Sequence, residues 1–197
     1  MPGQIPNARF PDNALAENTR IERVMIRRNC RAEGYAVLCQ HDIGRIGVAV
    51  VRYDFRGFGR STAGSQSGTH VADLKALLDH LELVSVSLVG ISLGGGVAID
   101  FATAYPNAVR ALILVDPLLE GTAAAHLGDV AVPTLVAVGA LDAQDAQERA
   151  SALEAGMPDA WKVVVPGAGR MVNLDDPKRF NEIVMAFLAE TERKSRR

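Results

Sequence analysis

Short apolar runs recur along the chain, at Ala36–Cys39, Val48–Val51, Val84–Val89, Ala111–Val115, Leu135–Val138 and Lys162–Val165. Each is rich in β-branched residues and apolar almost without a break, which fits strands buried on both faces of a parallel sheet. Segments with helical spacing lie between them. Val71, Leu74, Leu77, Leu78 and Leu81 form one stripe behind Thr69. Another, Phe180, Ile183, Val184, Phe187 and Leu188, follows Asp176-Pro177, an N-cap residue with proline at the first helical position. From Val48 onward this alternation predicts an α/β fold, a mostly parallel sheet with helices on both faces. Residues 1–20 are polar and contain proline, so the pattern predicts a flexible N-terminal segment ahead of a single domain over 21–197.

One junction carries chemistry. The run Val84–Val89 passes directly into Gly90-Ile91-Ser92-Leu93-Gly94-Gly95-Gly96 and then into a helical segment, Val97–Tyr105. This is G-x-S-x-G in the strand-turn-helix setting that gives the pattern meaning. A serine on so sharp a turn sits in a strained backbone conformation, and the residues two positions away, Gly90 and Gly94, must be small. The turn lifts Oγ clear of the sheet. The N–H of Leu93, at the helix start, then points to where an oxyanion would form. A glycine-rich turn with an incidental serine is the plainer reading, and the strand-to-helix context speaks against it.

Four further blocks extend the pattern. Val50-Val51-Arg52-Tyr53-Asp54-Phe55-Arg56-Gly57-Phe58-Gly59-Arg60-Ser61 is similar to the strand and loop that precede the elbow in α/β-hydrolases. Leu114-Val115-Asp116-Pro117 resembles the strand after the elbow, and Val138-Gly139-Ala140-Leu141-Asp142 the strand end that carries the catalytic acid. The segment from Pro166 to Pro177 resembles the one that holds the catalytic histidine. With the elbow, these blocks follow the superfamily's order of nucleophile, acid and base from Val48 to Leu188. The flavour is that of ester, enol-lactone and meta-cleavage-product hydrolases. The resemblance implies Ser92 as nucleophile and Asp142, or alternatively Asp116, as the acid. It also implies oxyanion donors at Leu93 and, on an arm near His41-Asp42-Ile43-Gly44, at Ile43.

The chain departs from this pattern in three places. Arg170 occupies the position of the family's histidine. A guanidinium stays protonated and has no acceptor atom, so it cannot take the Ser92 proton. The resemblance instead suggests an Arg170–Asp142 ion pair. Other histidines are candidate bases: His126, in the connector after Ala111–Val115, and His41, where the oxyanion arm would begin. A solvated loop histidine is the plain reading of both, and His126 is the better placed. His70 and His80 lie on the Val71–Leu81 helix, where surface or capping roles fit. Second, the segment between Ala36–Cys39 and Val48–Val51 is too short for a parallel crossover. An antiparallel hairpin around Asp42–Ile46 is expected there, the frame being shortened on its N-terminal side. Third, only Pro117–Pro133 fills the place where relatives insert a helical cap, so the site is expected to be shallow and open.

Composition narrows the alternatives. The 197 residues are 48% hydrophobic, 22% charged and 5% aromatic, ordinary for a globular domain whose core is built from aliphatic residues. A net charge of -2 gives no electrostatic case for nucleic acid or an anionic membrane. Cys30 and Cys39 make neither a disulfide framework nor a metal site. No signal-peptide pattern stands at the start, and a cytoplasmic protein without cofactor or metal is expected. Two functions remain. One is a serine hydrolase for a small ester or lactone, impaired by Arg170. The other is a non-catalytic binding protein on a hydrolase frame.

Overall fold

The computed structural model describes residues 23–25, 49–51, 53–58, 61, 68–119 and 125–195. Six strands form one sheet: β1 (Arg23–Met25), β2 (Ala49–Val51), β3 (Val86–Ile91), β4 (Val109–Val115), β5 (Thr134–Gly139) and β6 (Ala160–Val165). Their spatial order is β2-β1-β3-β4-β5-β6, and every neighbouring pair is parallel. The helices are α1 (His70–His80), α2 (Leu93–Ala104), α3 (Gln144–Gly156), α4 (Val172–Asp175) and α5 (Pro177–Ser195).

β4 and β5 show why the apolar runs are continuous. Leu112 and Leu114 join a core shared with α1, α2 and α3, through residues such as Leu74, Phe101 and Leu153. Their neighbours Ile113 and Val115 point the other way, to a second core with Phe180, Val184 and Leu188 of α5. Alternate residues thus bury against opposite layers, and neither face of these strands can be polar. Helices on both faces of a parallel sheet are what the alternation predicts. Thr69 caps α1 by accepting from Ala72 N–H at 3.1 Å. Asp176 accepts from Arg179 N–H at 2.9 Å at the head of α5.

Three differences from the sequence reading stand out. The strand expected from Val84 begins at Val86, and Val84 is 87% exposed. β2 has its observed partner in β1, in parallel register, with Val24 beside Val50. The run Ala36–Cys39, the hairpin expected around Asp42–Ile46 and the oxyanion arm at Ile43 lie outside the described residues. α3 was not anticipated; its buried face is Ala146, Ala150 and Leu153, too small a stripe to stand out.

The strand order places the site. Sequence runs outward in one direction from β1 to β2 and in the other from β3 to β6. In an open parallel sheet, ligands bind beyond the C-terminal strand ends where the order reverses. That point falls between β1 and β3, and Ser92 is the first residue after β3.

Candidate active site

Ser92 joins β3 to α2 with φ 52° and ψ −119°. A non-glycine residue with such a φ costs on the order of 1–3 kcal/mol and persists only where its surroundings hold it. Here they do. Ile91 is still in register with Val115, and Ser92 N–H donates to the Val115 carbonyl at 3.0 Å. The Ser92 carbonyl accepts from Gly95, Gly96 and Leu118 N–H, at 2.9, 3.2 and 2.9 Å. Gly90 is obligatory for a steric reason: a Cβ there would lie 2.5 Å from the Gly94 carbonyl oxygen and 2.6 Å from Gly95 Cα. Leu93 is the first residue of α2, so its N–H has no partner within the helix. Ser92 is half-buried, and its Oγ makes no hydrogen bond to the described residues.

The adjoining strand ends bring three charged groups together. Asp116, directly after β4, has φ 38° and a side chain only 2% exposed. Its Oδ1 accepts from Arg149 Nη2 of α3 at 2.6 Å. Its Oδ2 lies 2.7 Å from Arg170 Nη2, in the loop after β6. Arg149 also holds Asp145 one helical turn back, at 2.6 Å. Hydrogen bonds to Asp116 and then to Asp145 raise the Arg149 pKa further above its ordinary range. The same contact with Arg149 holds Asp145 below the usual carboxylate range.

The Arg170–Asp142 ion pair expected from the resemblance is therefore replaced by Arg170–Asp116. Asp142 stands at the head of α3, where its Oδ1 accepts from Ala143 N–H at 2.8 Å and its Oδ2 is buried with no hydrogen-bond partner among the described residues. The loops bearing Asp142 and Arg170 do touch. Leu141 N–H donates to the Ala168 carbonyl at 2.8 Å, and Gly139 leaves no room for a Cβ against the Ala168 and Gly169 carbonyls. The long arginine side chain nevertheless reaches past the end of β5 to Asp116, the more deeply buried carboxylate and the one with more to gain from a second cation.

No described histidine is joined to Ser92 by a hydrogen bond. His126 is exposed and its Nδ1 meets Asp129 Oδ2 at 3.0 Å. It immediately precedes a single 3₁₀ turn, Leu127–Asp129, and Leu127 packs beside Gly156 at the last turn of α3. α3 starts after the C-terminal end of β5 and runs back for 13 residues, about 20 Å. His126 therefore belongs to the sheet edge opposite Ser92 and is not brought to it. His70 stacks on Phe55 with ring centroids 4.4 Å apart, and His80 is exposed in the last turn of α1. His41 lies outside the described residues. The structure thus gathers Ser92, Leu93, Asp116 and Arg170 along β3, β4 and the β6 loop, with Asp142 beside them at the end of β5. Arg149 was missed from sequence. Its i,i+4 spacing from Asp145 was visible, but its reach to Asp116, 33 residues away, was not.

Comparison with known proteins agrees with this frame. A family profile described as alpha/beta hydrolase fold matches residues 34–129. The chain has the α/β-hydrolase fold. Among curated relatives, ABHD14B of Rattus norvegicus, described as a candidate protein-lysine deacylase, is 28% identical over 156 residues, 76% of this chain and 73% of that protein. A 2-hydroxy-6-oxononadienedioate/2-hydroxy-6-oxononatrienedioate hydrolase of Paraburkholderia phymatum is 38% identical over 73 residues, only 35% of this chain and 25% of the hydrolase. Among solved structures, a CIB-like hydrolase from Thermoplasma acidophilum superposes with a TM-score of 0.77 at 21% identity, covering 88% of each chain. Among the described residues, no helix is long and apolar enough to cross a membrane, and no group of His, Cys, Asp or Glu could hold a metal ion.

Proposed function

We propose that this α/β-hydrolase acts on carboxylic esters or lactones through Ser92, with slow turnover because Arg170 stands where the superfamily keeps its base. The supporting observation is the elbow: a serine with φ 52°, held by Val115 and Leu118, with the free N–H of Leu93 beside it. Oγ attacks the substrate carbonyl, and the developing oxyanion takes the Leu93 N–H. Asp142 or Asp116 would orient a base if one were present. With a guanidinium in that place, the Oγ proton passes to water, and the general-base contribution of roughly 10²–10⁴-fold is missing. The same Arg170–Asp116 pairing supports a second reading, a binding protein on a hydrolase frame. Hydrolysis of p-nitrophenyl acetate at pH 7 separates the two. The hydrolase reading expects a weak rate that Ser92→Ala abolishes; a rate indifferent to Ser92→Ala leaves the binding reading.

A further inference from the structure

Asp116 carries one negative charge and faces two guanidinium groups. Arg149, shared with Asp145, meets its Oδ1 with an aligned hydrogen bond at 2.6 Å, and the buried Oδ2 is left to Arg170. Arg170 lies 2.7 Å from Oδ2, yet that contact lacks hydrogen-bond alignment, and Arg170 makes no other polar contact with the described residues. Asp175, the acid nearest along its loop, is occupied by Gly169 N–H at 2.8 Å. Arg170 is 62% exposed, whereas Asp116 is 2% exposed. The cation is therefore tethered from below by charge while its planar fork of N–H donors stays open to solvent. Asp116 follows Val115, whose carbonyl holds Ser92 N–H, so the Arg170 fork is tethered at the end of the strand next to Ser92.

We propose that Arg170 is a binding residue for a ligand carboxylate, so that the molecule docking at Ser92 carries an acid group beside its reacting carbonyl. The substitution that removes the base thus supplies an anion subsite. A planar guanidinium matches a planar carboxylate through two parallel hydrogen bonds, and pre-tethering reduces the ordering needed on binding. The substrate class rests on the hydrolase reading above; the carboxylate site itself does not.

Calorimetric titration with butyrate, its neutral isostere butyramide and inorganic phosphate tests the site without turnover. In wild type and in Ser92→Ala, butyrate should bind at least tenfold more tightly than butyramide. Arg170→Gln should remove that preference, and Arg170→Lys should weaken butyrate several-fold because the fork is lost while the charge remains. Both variants should fold, since Arg149 still holds Asp116. Unchanged butyrate affinity in Arg170→Gln, or equal binding of butyrate and butyramide, overturns the proposal. Tighter phosphate than butyrate, with Arg170→Lys equal to wild type, overturns the carboxylate assignment. If butyrate binds as expected while p-nitrophenyl acetate hydrolysis is indifferent to Ser92→Ala, the site stands and the hydrolase reading falls.

Discussion

On the proposed reading, Arg170→His puts an imidazole where a base is missing, and the structure sets both the cost and the gain. The cost is small. Asp116 keeps its hydrogen bond to Arg149, and the lost contact comes from a side chain that is 62% exposed and poorly aligned. Such a contact is worth about 0–1 kcal/mol, so Tm should move by no more than about 4 °C. The gain is the missing proton acceptor, roughly 10²–10⁴-fold, or about 3–5 kcal/mol of barrier. The structure also separates the two candidate acids. Among the described residues Asp142 Oδ2 is buried without a donor and no cation meets Asp142, so it is available to orient an imidazole N–H, whereas Asp116 stays neutralised by Arg149 in this variant. Initial rates on p-nitrophenyl acetate should therefore rise in Arg170→His. The rise should be lost on adding Ser92→Ala or Asp142→Asn and largely kept on adding Asp116→Asn. A folded Arg170→His protein with no Ser92-dependent gain would refute this reasoning and leave the oxyanion side as the limiting defect.

Further outcomes follow from the same contacts. Gly90→Ala forces a methyl against the Gly94 carbonyl, so thermal melts should drop by several degrees and Ser92-dependent hydrolysis should disappear; an unchanged melt would show that the elbow relaxes freely. Arg149→Met should cost more than Arg170→Met, on the order of 3 kcal/mol in urea unfolding, because it leaves the buried Asp116 with only the poorly aligned cation; equal losses would contradict the assignment of Arg149 as its main partner. Tyr53 Oη is buried without a partner among the described residues, and burial, then the negative charge of Asp73, raises its pKa. A raised folded-state pKa gives stability that is present below the unfolded tyrosine pKa of about 10 and lost as pH rises beyond it. Tyr53→Phe should therefore flatten the alkaline unfolding limb and leave stability at pH 7 equal or higher, and a loss above about 1 kcal/mol at pH 7 would show a hidden partner for the hydroxyl.

The sheet was legible where strands bury both faces. β4 and β5 read as unbroken apolar runs because Leu112 and Ile113, and likewise Leu135 and Val136, face opposite cores. The elbow was legible because its glycines answer a steric demand that spacing records, as the Gly90–Gly94 approach illustrates. β1 was missed because three residues carry too little pattern, and α3 because its buried alanines form no conspicuous stripe. The charge cluster was not legible for a different reason. Asp116, Arg149 and Arg170 come from three separate elements, and which carboxylate an arginine chooses depends on burial and side-chain reach. Asp142 looked like the partner of Arg170 by position, and Asp116 won by depth.

The central claim is that Ser92 is an accessible elbow nucleophile deprived of its base. Fluorophosphonate treatment followed by peptide mass mapping tests it most directly. A single adduct on Ser92 is expected, forming slowly in wild type, at least tenfold faster in Arg170→His, and absent in Gly90→Ala. A folded protein that takes no adduct at Ser92 in either wild type or Arg170→His would contradict the account.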